Sequence, residues 1–242
     1  MHKQLPPSNL KFLLPNMITA CTLFFGFFAT VTSSFQSIAL TCFTILLAAI
    51  ADALDGKVAK LTNTESNFGQ QFDSLADLIA FGIAPAALIY HTLRSYSPII
   101  AIANAFMHLL ATAIRLAKFN LSKPSTSWKG MPCPSSAAVI ITFIWLFNDL
   151  STFHFTLFLS LLVLVSSILQ LSSLPFYGFK SPLPSEKFRY LRLISLLAIC
   201  CAIPFNPPLI IFSAFLMYMI LSPIYAWIKS DINHEDPDAI HD

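Results

Sequence analysis

The sequence predicts an all-α, polytopic membrane protein, and three observations carry that expectation. Hydrophobic residues fill 56% of the 242 positions and charged residues only 11%, with a mean hydropathy of +0.70. Soluble domains carry about a quarter charged residues. Apolar runs long enough to cross about 30 Å of hydrocarbon recur along the whole chain. The basic residues are also distributed asymmetrically. With the N-terminus in the cytoplasm, one side receives Lys3, Lys11, Lys57, Lys60, the run from Arg115 to Lys129, the run from Lys180 to Arg192, and Lys229, while Arg94 alone falls opposite. That is the pattern of positive-inside topology.

Hydropathy and helix breakers place roughly eight spans, at residues 12–33, 37–60, 69–93, 97–119, 134–150, 154–174, 190–205 and 207–229. Between the fourth and fifth, "LSKPSTSWKGMPCP" is expected to be a loop because of its prolines and Gly130. A second polar link, "PFYGFKSPLPSEK", follows the sixth span. Beyond it, "LRLISLLAICCAIPF" is short, and Pro204, Pro207 and Pro208 leave open two full spans or a broken, re-entrant hairpin across 190–229. The acidic, polar tail is expected to be disordered. The chain thus divides into a six-span core at 1–176, a link with two C-terminal helices at 177–229, and a cytoplasmic tail at 230–242. No internal repeat and no cleavable signal peptide are expected, the first apolar run being followed by more of the same. Cys21, Cys42, Cys133, Cys200 and Cys201 form no CxxC pair and read as small hydrophobes, not as a zinc site or disulfide framework. The net charge of +2 is small, and no nucleic-acid partner is expected.

One stretch contradicts this apolar background. "DALDGKVAKLTNTESNFGQQFDSLAD" puts Asp52 and Asp55 three apart at the end of span two, and Asp73 and Asp77 four apart at the start of span three. Each pair shares a helix face, and Gly69 lies four before Asp73 on the same side. The polar stretch Leu61–Phe68 lets the two helices run antiparallel, so that four carboxylates can converge on one cavity. An aspartate at mid-bilayer costs about 2.5–3.5 kcal/mol even on the lenient insertion scale. Close carboxylates also repel one another. Lys57 and Lys60 are a poor match for four converging carboxylates. Hard divalent cations, Mg²⁺ or Mn²⁺, match better because they take oxygen ligands and share them with substrate phosphates. Neither His nor Cys occurs between Asp52 and Asp77, which argues against zinc. Gly56, Ala59 and Gly69 either admit a bulky ligand to the helix backbone or serve tight helix packing.

These residues resemble the CDP-alcohol phosphatidyltransferase family, whose pattern is D-x-x-D-G-x-x-A-R-x8-G-x-x-x-D-x-x-x-D. Asp52, Asp55, Gly56, Ala59, Gly69, Asp73 and Asp77 fit it, and Lys60 stands where the pattern has Arg. The substitution keeps the charge and loses the planar fork that grips phosphate in a bidentate manner. The segments "LLPNMITACTLFFGFFA", "FDSLADLIAFGIAPA", "AIRLAKFN", "WKGMPCPSSAA" and "LQLSSLPFYGFK" are similar to the branch that uses serine as acceptor. The resemblance implies the family fold, six core transmembrane helices here followed by two more. It implies two divalent ions, Mg²⁺ or Mn²⁺, held by Asp52, Asp55, Asp73 and Asp77 on the diphosphate of CDP-diacylglycerol. It places Gly56, Ala59 and Gly69 in the cytidine pocket, with Asn16, Thr19 and Lys60 near the nucleotide. It makes Asp77 the general base for the acceptor hydroxyl. It further implies a homodimer among membrane lipids; the basic-residue asymmetry places the site at the cytoplasmic face of the inner membrane, with both termini cytoplasmic.

Arg115 and Lys118, three apart near the cytoplasmic end of span four, can hold the serine carboxylate or simply obey the positive-inside rule. Lys129 and Lys180 stand between an anion-binding role and contact with anionic lipid. His108, within an apolar span, is expected to make a partner hydrogen bond and not to act in catalysis. Other acceptors on the same fold are glycerol 3-phosphate, inositol phosphate and amino alcohols; a phospho-acceptor demands several basic residues around its pocket. A cation-coupled transporter would carry its carboxylates at the bilayer midplane, usually within inverted repeats, and neither feature is present.

Overall fold

Long apolar runs satisfy their backbone internally as helices, and the computed structural model is helical almost throughout; it describes residues 10–35, 37–62, 64, 66–121, 128–148, 152–176 and 205–235. Two compact units form, Met1–Leu121 and Ser122–Asp242. Among the described residues, six helices are long and apolar enough to cross a membrane. This is a multi-pass membrane protein.

The first unit holds α1 (Leu10–Ser33), α2 (Ile38–Thr62), α3 (Asn67–Asp77), a π-helical segment (Leu78–Ile83), α4 (Ala84–Leu93) and α5 (Pro98–Leu121). α1 and α2 form a hairpin whose turn is closed by Ser34 N–H to Val31 O and Phe35 N–H to Thr32 O. Beneath that turn the buried hydroxyls of Thr32 and Thr41 lie 3.2 Å apart. α3 begins where Ser66 caps it, its hydroxyl accepting the Gly69 N–H at 3.0 Å. α3, the π-helical segment and α4 run as one 27-residue span, Asn67–Leu93, which ends at Arg94, far from Asp73. Small side chains let these helices approach closely. A Cβ at Gly26 would sit 2.6 Å from the Ala80 Cα and 2.8 Å from its nitrogen, so α1 meets the π-helical segment almost backbone to backbone.

The π-helical segment has a local chemical cause. Ala84 N–H reaches back five residues to Ile79 O, and Pro85 follows with no N–H at all. In an α-helix that missing donor would have served the carbonyl of Phe81. His108 of α5 serves it instead, its Nε2 lying 2.9 Å from Phe81 O with the ring fully buried. A carbonyl only accepts, so Nε2 carries the proton. The expected partner hydrogen bond of His108 is therefore present.

The second unit holds β1 (Trp128–Lys129), α6 (Cys133–Phe147), α7 (Thr152–Leu171), β2 (Pro175–Phe176) and α8 (Pro207–Glu235). α6 covers most of the expected span at 134–150. Its 15 residues reach about 22 Å at 1.5 Å per residue, and residues 149–151 just after it lie outside the described residues. Every residue from Ser135 to Ile144 is buried, so this stretch shows no exposed stripe. The loop expected around Gly130 is also more ordered than its composition suggests. β1 pairs antiparallel with β2, Trp128 opposite Phe176. Gly130 N–H donates to Leu174 O at 2.9 Å and Met131 N–H to Leu169 O at 3.0 Å. Gly130 takes a φ of +76°, and a Cβ there would lie 2.5 Å from Gln170 O. α8 runs to Glu235, past residue 230 where the disordered tail was expected to begin. Residues 190–204 of the expected span at 190–205, most of the link before it, and residues 236–242 lie outside the described residues.

Candidate active site

α2 and α3 bring their carboxylates together as the spacing requires. Oxygens of Asp52, Asp55 and Asp73 all lie within 4.8 Å of one another. Asp52 and Asp73 are half-buried and Asp55 is buried, 5% exposed. Asp77, one turn beyond Asp73, is not one of the three, but it lies within electrostatic range of Asp52, Asp73, Asp55 and Arg115. One oxygen on each of Asp73 and Asp77 is buried with no hydrogen-bond partner among the described residues. Buried acceptors left this way cost free energy unless something donates to them or binds them. Lys57 and Lys60 are exposed on α2. A set made of carboxylate oxygens alone, with buried lone pairs unmet, fits a hard divalent cation.

α1 contributes the third wall. Asn16 and Thr19 are three apart and face the carboxylate helices. Asn16 Oδ1 lies 3.5 Å from the place a Gly69 Cβ would occupy. The Thr19 hydroxyl lies 2.8 Å from Asp55 Oδ2 and 3.1 Å from Pro15 O. The glycines separate into two kinds. A Cβ at Gly69 would meet Ser66 Oγ at 3.2 Å, whereas one at Gly56 meets nothing within 4 Å among the described residues. Helix packing therefore gives no reason for a glycine at position 56. Ala59 is half-buried and Lys60 exposed, on the same stretch of α2.

Among the expected acceptor residues, Arg115 is half-buried on α5 and acts electrostatically on Asp77, while Lys118 is exposed. Lys129 belongs to β1 of the second unit with its side chain outside the described residues, and Lys180 is outside them altogether. The structure adds groups that sequence reasoning passed over. Asn120 Oδ1 accepts the Ser74 hydroxyl at 3.0 Å and its Nδ2 donates to Gln71 Oε1 at 3.2 Å, tying the end of α5 to the carboxylate helix. No local pattern announces a pairing across 46 residues. Ser66 was readable, as a serine just before a helix start.

Comparison with known proteins is consistent with this geometry. A sequence model of the family described as CDP-alcohol phosphatidyltransferase matches residues 12–172. A CDP-diacylglycerol–serine O-phosphatidyltransferase of Helicobacter pylori (strain ATCC 700392 / 26695) is 34% identical over 232 residues, covering 92% of this chain and 94% of that protein. One of the same description from Methanocaldococcus jannaschii is 30% identical over 79% of this chain and 85% of its own length. An archaetidylserine synthase of Methanothermobacter thermautotrophicus is 31% identical over 67% of this chain and 69% of its own.

Proposed function

The chain belongs to the CDP-alcohol phosphatidyltransferase family, and from that premise we propose that it transfers the phosphatidyl group of CDP-diacylglycerol to the hydroxyl of L-serine, giving phosphatidylserine and CMP. The observation that carries this is the convergence of Asp52, Asp55 and Asp73 within 4.8 Å. Support for serine as acceptor comes from relatives that carry that activity in their names and match this chain along most of its length.

Asp52, Asp55, Asp73 and Asp77 would hold two divalent cations, Mg²⁺ or Mn²⁺. When bound, such ions neutralise the diphosphate and ease the departure of CMP. The chain's own residues do the rest. Gly56 leaves open space above the α2 backbone, and Ala59, Gly69, Asn16 and Lys60 complete the surroundings of the cytidine diphosphate. Lys60 contributes a point charge in place of a guanidinium fork. Arg115, with Lys118 beside it, holds the serine carboxylate by charge-assisted hydrogen bonds. Asp77, outside the close trio and with one buried oxygen unmet, accepts the proton of the serine hydroxyl. The serine oxygen bonds to the phosphorus that carries diacylglycerol. The bond from that phosphorus to the bridging oxygen breaks, and the oxygen leaves as part of CMP. A positioned base of this kind contributes about 10²–10⁴-fold in rate.

The lipid product stays in the bilayer while CMP is water-soluble, which suits a site at the interface. We place that site at the cytoplasmic face of the inner membrane, with both termini on the same side, on the strength of the basic-residue asymmetry. In cells, an impermeant thiol reagent is expected to label Arg94→Cys from outside and to leave Lys60→Cys unlabelled until the membrane is opened. A homodimer belongs to the same proposal, and light scattering on the purified protein tests it. The activity is tested by giving purified protein CDP-diacylglycerol, Mn²⁺ or Mg²⁺, and in turn serine, glycerol 3-phosphate or inositol phosphate. CMP is expected with serine. Release with glycerol 3-phosphate and not with serine would overturn the acceptor assignment while leaving the chemistry class intact.

A further inference from the structure

We propose that Thr19 is a positioning residue for the carboxylate clamp, acting through Asp55 and not by touching the nucleotide. The inference rests on the metal-clamp reading given above. Thr19 and Asp55 are 4% and 5% exposed, so neither side chain has free access to water. The Thr19 hydroxyl has a single proton and two acceptors in reach, Asp55 Oδ2 at 2.8 Å and Pro15 O at 3.1 Å. A helical threonine ordinarily returns its hydroxyl to the carbonyl four residues back. Thr30 and Thr92 do so here at 2.9 and 2.7 Å. At Thr19 the carboxylate is the nearer acceptor, and a charged acceptor makes the stronger bond.

The consequence falls on the direction of the Asp55 carboxylate. The terminal torsion of an aspartate is soft, with a broad, roughly two-fold well. A carboxylate that must present one oxygen to a cation therefore gains from an outer donor that fixes its plane. Thr19 suits this task because its branched Cβ restricts χ1, so the hydroxyl is aimed by the α1 backbone itself. A carboxylate oxygen has two lone pairs, so Oδ2 can take the Thr19 proton and still face a cation. With that proton committed, Thr19 has none to offer a ligand. The two α1 residues then divide the work, Asn16 facing the first turn of α3 and Thr19 aiming Asp55.

The test reads metal affinity without any turnover. Full-length protein in lipid nanodiscs, free of CDP-diacylglycerol, is titrated with Mn²⁺ while unbound Mn²⁺ is followed by electron paramagnetic resonance. Thr19→Val, close in shape and lacking the hydroxyl, is expected to weaken Mn²⁺ binding about 10–100-fold, the range seen when outer-shell partners are removed. Thr19→Ser, which restores the donor, is expected to bind as the native protein does. At saturating Mn²⁺ the KM for CDP-diacylglycerol of Thr19→Val is expected to match the native value. Native Mn²⁺ affinity in Thr19→Val together with a raised KM would overturn the proposal in favour of a nucleotide contact. Native values of both would overturn it in favour of simple back-bonding to Pro15. Where Thr19→Val does not fold, Thr19→Ala reads the same quantity and must show the same loss. Native protein that binds no Mn²⁺ overturns the clamp and this proposal with it. A protein that binds Mn²⁺ but prefers another acceptor contradicts only the serine assignment.

Discussion

Gly26 and Gly56 are both helical glycines near the same set of helices, and the structure assigns them opposite sensitivities. A methyl at Gly26 would press on the Ala80 backbone at 2.6 Å, which cannot yield as a flexible side-chain tip would. Gly26→Ala is expected to lower stability by about 1–3 kcal/mol, the usual cost of overpacking, seen as earlier thermal unfolding in detergent. At Gly56 a methyl meets no atom of the described residues within 4 Å. Gly56→Ala is expected to leave stability unchanged or to raise it by about 0.5–1 kcal/mol through helix propensity. Its KM for CDP-diacylglycerol is expected to rise about tenfold, the equivalent of about 1.4 kcal/mol. An unchanged KM would remove Gly56 from the nucleotide pocket. For Asp77, the proposed base, the Asn variant keeps the shape and removes the proton acceptor. Asp77→Asn is expected to bind CDP-diacylglycerol while losing about 10²–10⁴-fold in single-turnover rate; a near-normal rate would show that another group takes the proton. The carboxylates were legible in the sequence because helical spacing alone puts three- and four-apart residues on one face. The hydrogen bond from Thr19 to Asp55 was not, since it joins residues 36 apart whose meeting depends on how α1 packs against α2.

Among the elements, the span from Asn67 to Leu93 carries two duties that a uniform α-helix would force into one register. Its first half presents Asp73 and Asp77, and its second half is buried on most sides. The π-helical segment between them absorbs one extra residue, a turn of about 100°, and so uncouples the two faces. Pro85 and His108 hold that arrangement chemically, the first by withholding an N–H and the second by meeting Phe81 O at 2.9 Å. His108→Leu strands a buried carbonyl and is expected to cost about 1–3 kcal/mol in unfolding experiments. In a Pro85→Ala background, which returns an N–H to the chain, the same change is expected to cost measurably less, with a coupling of about 0.5–3 kcal/mol. Strictly additive effects would mean that Pro85 is not the reason for His108. The apolar spans themselves were legible from hydropathy, but this break in register was not, because a period-3.6 pattern gives no signal for a single inserted residue.

For the whole molecule, the proposed function gives four acidic residues near one end of apolar helices a reason, since on that proposal they serve a cation and a diphosphate together. The short pairing of "WKGMPCP" with "LQLSSLPF" through β1 and β2 belongs to this scale as well. Each segment was noticed in the sequence, yet the contact between them is long-range and carries no local pattern. If the carboxylates grip the diphosphate through shared cations, metal and CDP-diacylglycerol must strengthen each other's binding reciprocally. The most direct measurement is therefore the Mn²⁺ affinity of the native protein with and without saturating CDP-diacylglycerol, alongside the CDP-diacylglycerol affinity with Mn²⁺ and with a chelator. The two ratios are expected to agree, each tenfold or more, equivalent to about 1.4 kcal/mol of coupling or greater, and to collapse in Asp73→Asn. Equal binding of CDP-diacylglycerol with and without metal, together with Mn²⁺ binding indifferent to the lipid nucleotide, would contradict the clamp.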